Sequence, residues 1–150
     1  MMSGYVTGNS AADCAGGLLN AALANSQEFS LVSLWDRRLE DLLSIRSLRD
    51  DWDGDGAEAP IPELMDTAIA LLGWFRRSGH FPVPSRIVPS PNGTVVIEWE
   101  SPDMYLEAEI TTPSTVEWME QKEGQEPQHY FIDVGQPAQT ISGISIYRAA

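Results

Sequence analysis

Apolar residues recur at three- and four-residue steps along one stretch: Leu31, Leu34, Trp35, Leu39, Leu42, Ile45 and Leu48. That spacing lines one side of a helix and predicts one over residues 30–49. Ser30 suits the N-cap, and Arg46 and Arg49 suit the negative end. Asp36, Arg37, Arg38, Glu40 and Asp41 fall on the wet side. A second stripe of Leu64, Ala68, Leu71, Leu72 and Phe75 predicts a helix over residues 61–78, widened by Met65, Ile69 and Trp74. Pro62 fits its first turn, Glu63 and Asp66 favour that end, Arg76 and Arg77 favour the other, and Gly79 is the expected stop.

After the stiff connector His80 to Pro84 the period changes from helical to alternating. Arg86 to Val88 reads as a short strand, and Pro89 argues for an edge position. Val95, Ile97 and Trp99 alternate with Val96, Glu98 and Glu100. Leu106, Ala108 and Ile110 alternate with Tyr105, Glu107 and Glu109, Val116 and Trp118 with Glu117 and Met119, and Tyr130, Ile132 and Val134 face inward on the last main strand. Turn signals separate these runs: Pro91-Asn92-Gly93, Ser101-Pro102-Asp103, Thr111 to Ser114 and the polar loop Lys122 to Pro127. Short links between consecutive strands predict an antiparallel meander. Its apolar face needs a cover, so the fold class is α+β, two helices packed on one face of a meander of about four to five strands.

The ends carry less pattern. Residues 1–28 are small and polar, with Leu18 to Ala24 suited to a short helix, and are expected to form a flexible arm ahead of a single domain over residues 29–150. The tail Pro137 to Ala150 is ambiguous. Ile141, Ile144 and Tyr147 step like a helix, while Ile144 and Ile146 alternate like a strand. A chain of 150 residues fits one core of useful size. No apolar run approaches the roughly 20 residues a membrane-spanning helix needs. The N-terminus lacks a basic start followed by an apolar block, so no secretory signal is expected. Cys14 is the lone cysteine, which excludes an internal disulfide and a cysteine-based zinc site. A cytoplasmic protein of a bacterium or phage is the expectation.

Charge changes the picture most. Nine Lys and Arg face 22 Asp and Glu, for a net charge of −13. Such a chain repels phosphate backbones, so direct nucleic-acid binding is not expected, and a basic protein partner is. Between Thr94 and Asp133 there are ten acids, and Lys122 is the single Lys or Arg there. The hairpin at Ser101-Pro102 sets Glu98 opposite or diagonal to Glu107 and Val96 near Glu109, with Glu117 on the same face if the next register holds. Like charges opposite each other weaken a sheet, so a face that gathers them points to a binding role. Glu98, Glu100, Glu107, Glu109 and Glu117 are the candidate partner-binding residues. Trp74, beside its helix's core stripe, is a candidate exposed anchor. Trp35, Trp99 and Trp118 are expected in the core.

The stretch Asp51-Trp52-Asp53-Gly54-Asp55-Gly56 matches the opening of an EF-hand calcium loop, D-x-D-x-D-G, in which alternate carboxylates converge on one hard cation. The twelfth position is Pro62 instead of glutamate, so any Ca2+ site at Asp51, Asp53 and Asp55 would be weak. The structural alternative packs Trp52 under an interhelical loop. A third reading, a hydrolase using clustered carboxylates, needs desolvation that exposed strand residues lack. His80 and His129 have no ligand-spaced neighbours, and Cys14 has no nearby histidine. No catalytic residue is assigned.

The succession Trp52-Asp53-Gly54-Asp55-Gly56-Ala57, an amphipathic helix, Pro84 to Pro91, Asn92-Gly93, Ile97-Glu98-Trp99 and Leu106-Glu107-Ala108-Glu109-Ile110 resembles a widespread group of small bacterial proteins. Their pattern runs W-D-G-x-G-A, helix, P-x-P-x-G-G, L-E-W, L-E-x-E-I, and the resemblance covers about Leu48 to Ile110. It brings no activity with it. In that group the position of Asp55 varies, which argues against a metal loop. Asn92-Gly93 here replaces the expected Gly-Gly. By analogy, small acidic proteins of this kind suit a role as antitoxin-like, immunity or inhibitory partners.

Overall fold

The structure, a computed structural model, describes residues 11–135 and 145–148, with side chains over residues 23–135. The chain divides into two compact units, Met1–Leu34 and Trp35–Ala150. The first helix, α1, spans Ala11–Arg46 and so starts well before Ser30. Six alanines between Ala11 and Ala24 and the absence of proline favour helix there by propensity alone. Ser30 is therefore an interior residue and not a cap. Residues 11–28, expected as a flexible arm, are helical, while residues 1–10 of that arm lie outside the described residues. The side chains of Leu31 and Leu34, placed on the core stripe by spacing, are exposed, as are Leu23, Phe29 and Val32. At the other end α1 stops at Arg46, and Ser47 and Leu48 donate to Ser44 and Ile45 in a tighter turn.

The second unit holds the core. Trp35, Leu42 and Ile45 of α1 are buried with Leu64, Met65, Ala68, Leu71, Leu72 and Phe75 of α2, which spans Pro62–Ser78. Pro62 opens α2, and Gly79 closes it in the left-handed conformation. Arg46 reaches Asp66 at 2.5 Å and Arg76 reaches Asp36 at 3.0 Å, which sets the two helices antiparallel. Such exposed pairs fix alignment more than they add stability. Thr67, buried on α2, donates to the carbonyl of Pro113 at 2.5 Å and ties the helix to the sheet.

Among the described residues six strands form one antiparallel meander in chain order: β1 Arg86–Pro89, β2 Val95–Ser101, β3 Met104–Ile110, β4 Thr115–Lys122, β5 Gln128–Asp133 and β6 Ser145–Arg148. The two-helix, antiparallel-meander architecture expected from the alternation is thus the observed one, with β6 added. Of the ambiguous tail, residues 145–148 are strand, and residues 137–144 and 149–150 lie outside the described residues. Ile87, Val95, Ile97, Trp99, Leu106, Ala108, Ile110, Val116 and Ile132 are buried on the helix-covered face. An aromatic cluster closes one end of the core. Phe75 packs on Phe81 at 4.7 Å and Trp99 at 4.9 Å, and Trp99 on Trp118 at 5.6 Å. The two Phe75 pairs are edge-to-face, a geometry that adds about 0.5–1.5 kcal/mol per pair beyond burial.

Candidate functional site

With the helices on one side, every second residue of the strands points to the other. The ladder registers place these outward residues in rows across the sheet. One row runs Arg86, Glu98, Glu107, Met119, His129. The next runs Val88, Val96, Glu109, Glu117, Phe131. A third sets Glu100 opposite Tyr105 and Tyr105 opposite Gln121. Four of the five expected carboxylates therefore face each other directly: Glu98 against Glu107, and Glu109 against Glu117. Glu100 flanks them at the end of β2.

The carboxylates differ in environment. Glu98 is only 6% exposed, unlike the open carboxylate its alternation suggested. Arg86 Nε donates to its Oε2, and Arg86 Nη2 to its Oε1 at 3.1 Å. Two parallel N–H donors on one carboxylate make a strong, directional pair. The Tyr105 hydroxyl lies 2.7 Å from Glu98 Oε1 and 2.7 Å from Glu107 Oε2. Burial first, then the hydrogen bond and charge of Glu107, push the Tyr105 phenol up to about 12, so it keeps its hydrogen at neutral pH. Glu109 accepts from the Thr94 hydroxyl at 2.6 Å and is half-buried. Glu100 and Glu117 are exposed. Glu98 thus acts as a brace for Arg86 and Tyr105, while Glu100, Glu107, Glu109 and Glu117 present charge.

Three contributors to this face were not singled out from the sequence. Arg86 belongs to a strand that the pattern located, and its parity opposite Glu98 was the available signal. Tyr105 alternates in phase with Glu107 and Glu109, which placed it on the face but not between two carboxylates. Phe131, opposite Glu117, is 43% exposed and adds an apolar edge. Trp74, the expected anchor, is half-buried against Phe75 at 5.4 Å and Phe81 at 6.0 Å, away from the acidic rows.

In the loop between the helices three exposed aspartates, Asp50, Asp51 and Asp53, accept from backbone N–H groups of the loop itself. Asp53 Oδ1 accepts from the N–H of Asp55 at 2.9 Å and of Ala57 at 3.1 Å, and these bonds hold its carboxyl below the ordinary value. Asp51 Oδ1 accepts from Gly56 N–H, and Asp50 Oδ1 from Ala59 N–H. Trp52 is half-buried and its indole N–H donates to the Glu58 carbonyl. Asp51, Gly54 and Gly56 adopt positive φ, which opens the chain enough for these self-contacts. Among the described residues no group of three or more His, Cys, Asp or Glu is arranged to hold a metal ion. The loop's far end docks on the turn between β1 and β2, where Glu58 N–H donates to Pro91 O at 2.9 Å and Glu58 bridges Asn92.

Among the described residues no helix is long and apolar enough to cross a membrane. Comparison with protein-family models, curated proteins and solved structures finds no match to this chain.

Proposed function

We propose that the protein is a non-enzymatic binding module of the cytoplasm. Its acidic outer sheet face engages a basic protein, as an antitoxin-like, immunity or inhibitory partner does. The observation that carries this reading is the register that sets Glu109 directly against Glu117 and Glu98 against Glu107. Opposed like charges cost a sheet stability, and a cation brought by a partner relieves that cost. Among the described residues the cation in these rows, Arg86, is already taken up by Glu98. The net charge of −13 extends the same field outward, which steers a basic partner and opposes phosphate backbones. Glu100, Glu107, Glu109 and Glu117 are the contact residues in this reading, and Phe131 an apolar neighbour.

The test is affinity capture from the native host at low and high salt, with wild type and with Glu107→Lys, Glu109→Lys and Glu117→Lys combined. One basic protein, retained at low salt, released at high salt and lost with the triple variant, is the expected result. Unchanged retention by the triple variant would sink the proposed face.

A further inference from the structure

From Ala11 to Leu34, α1 belongs to the first compact unit, and its described side chains there, residues 23–34, are all exposed. Alanines favour helix as far as Ala24, but Asn25, Ser30, Val32 and Ser33 are weak helix formers. No Lys or Arg precedes Arg37, so no ion pair within the stretch supports it. A helix of this kind owes its stability to packing. Its large apolar residues, Leu23, Phe29, Leu31, Val32 and Leu34, all face solvent, Phe29 at 77% exposure. At about 100° per residue, Leu23, Leu31 and Leu34 fall within an arc of about 80°, and Phe29 and Val32 fall on the opposite side. Apolar groups on two opposite sides mark a helix that is buried among neighbours.

Charge selects the neighbour. The chain carries 22 acids and nine bases, but residues 11–34 hold only Asp13 and Glu28. A basic protein finds little to meet there, and an anionic lipid surface finds no cation. Copies of the chain repel each other through a net charge of −13 and meet with least repulsion at this stretch. Area sets the number of copies. Residues 11–34 make a cylinder about 36 Å long and about 10 Å across, with about 1,100 Å² of side, of which one neighbouring helix covers about a third. That falls short of the roughly 800 Å² per partner of a stable interface, and two neighbours come close to it. We propose that residues 11–34 of three or more copies pack side by side and join the chain into a homo-oligomer. The assembly does not depend on the acidic sheet face, and salt separates the two. Salt screens the repulsion between copies and strengthens self-association, whereas it weakens capture of a basic protein.

The test is the mass of the full chain in solution, by sedimentation equilibrium at about 10 mM and about 1 M salt. At high salt the wild type should sediment with at least three times its 16.5 kDa. Phe29→Gln with Val32→Gln removes one apolar side, and Leu23→Gln with Leu31→Gln removes most of the other, with no change of charge. Each pair leaves one apolar side and should hold the assembly to two copies or fewer. Ile61→Gln, at a site as exposed as Leu31 in the other unit, should leave the wild-type mass intact. Hydrogen exchange of the wild type needs no variant. The amides of residues 23–34 should exchange slowly wherever the mass is that of the assembly and fast wherever it is that of the monomer, while Ile97 and Ala108 of the sheet stay protected in both. A wild type that remains monomeric or dimeric at high salt overturns the proposal. An assembly that both paired variants leave intact overturns it too, as does fast exchange of residues 23–34 within the assembly. A monomer that floats with phosphatidylcholine vesicles assigns the stretch to a lipid surface instead.

Discussion

Replacing Glu117 with lysine should make this protein more stable. Glu117 lies directly opposite Glu109 in the β3–β4 ladder, and it is exposed. Side chains so placed have Cβ atoms about 5 Å apart. Two like unit charges at that distance repel by about 0.8 kcal/mol in a water-like medium. Reversing one sign converts this to attraction, and measured cross-strand charge pairs contribute about 0.2–1 kcal/mol. Glu117→Lys should therefore gain about 1 kcal/mol, and Glu117→Gln about half as much. Glutamate and lysine are similarly disfavoured in strands, so propensity contributes little to the difference. For a chain of this size the gain raises the melting temperature by about 3 °C. The assay is thermal and urea unfolding at about 10 mM and about 1 M salt, where the screening length falls from about 30 Å to about 3 Å. The gain should vanish in high salt. A loss of stability at low salt, or a gain that high salt leaves intact, would refute the claim that the outer face is held under electrostatic strain.

Other expectations follow from single groups. Tyr105 is pushed up to about 12, so its neutral form is favoured in the fold. Stability from this source is intact below the ordinary tyrosine value and is lost as pH rises through about 12. Tyr105→Phe should flatten that alkaline limb, as followed by unfolding at high pH. Asp53 is held below its ordinary value, so its contribution is present above that value and is lost as pH falls through the lowered one. Asp53→Asn should flatten the acid limb. Because Asp51 and Asp53 already accept N–H donors from the loop, millimolar calcium should leave the melting temperature unchanged, and a calcium-dependent rise would support the cation reading instead.

Legibility in the sequence tracked burial. The strands and α2 were readable because one face of each is buried, and burial imposes a period of 2 or 3.6 on the residue types. The short turn at Pro102-Asp103 also fixed the β2–β3 register, so Glu98 opposite Glu107 could be anticipated. The first half of α1 was not readable for the complementary reason. Its described side chains from Leu23 to Leu34 are exposed, so no core selects a stripe there and only alanine propensity marks the helix. Leu31 and Leu34 continue the spacing of Trp35 and Leu42 but not their environment. The fate of Glu98 was hidden by a different limit. Alternation says which way a side chain points, not what lies over it, and Arg86 comes from the neighbouring strand across the Pro91-Asn92-Gly93 turn. The aspartates of the interhelical loop show a third limit. Carboxylates at alternate positions before glycine read alike whether they converge on a cation or cap their own backbone.

That loop and the β1–β2 turn act as one unit, and Gly93 tests it. The two stretches lie far apart in sequence, yet Glu58 donates to Pro91 and bridges Asn92. Gly93 sits at the junction with φ +75°, and a Cβ there would lie 3.5 Å from the Ala59 carbonyl oxygen and 3.5 Å from Glu58 Cβ. Those are ordinary contacts, so steric clash contributes little. The backbone conformation is the obstacle, since a left-handed residue with a Cβ costs about 1–2 kcal/mol unless it is asparagine or aspartate. Gly93→Ala should therefore lose about 1 kcal/mol, and Gly93→Asn clearly less. Gly54, with φ +79° and open space around it, is the control: Gly54→Ala should cost a similar amount. Hydrogen exchange separates the two sites. Gly93→Ala should speed exchange at the Glu58 amide, whose partner is in the turn, while Gly54→Ala should leave that amide protected. Equal exchange at Glu58 in both variants would mean that the loop holds its shape without the turn, and that the two motifs are neighbours and not one structural unit.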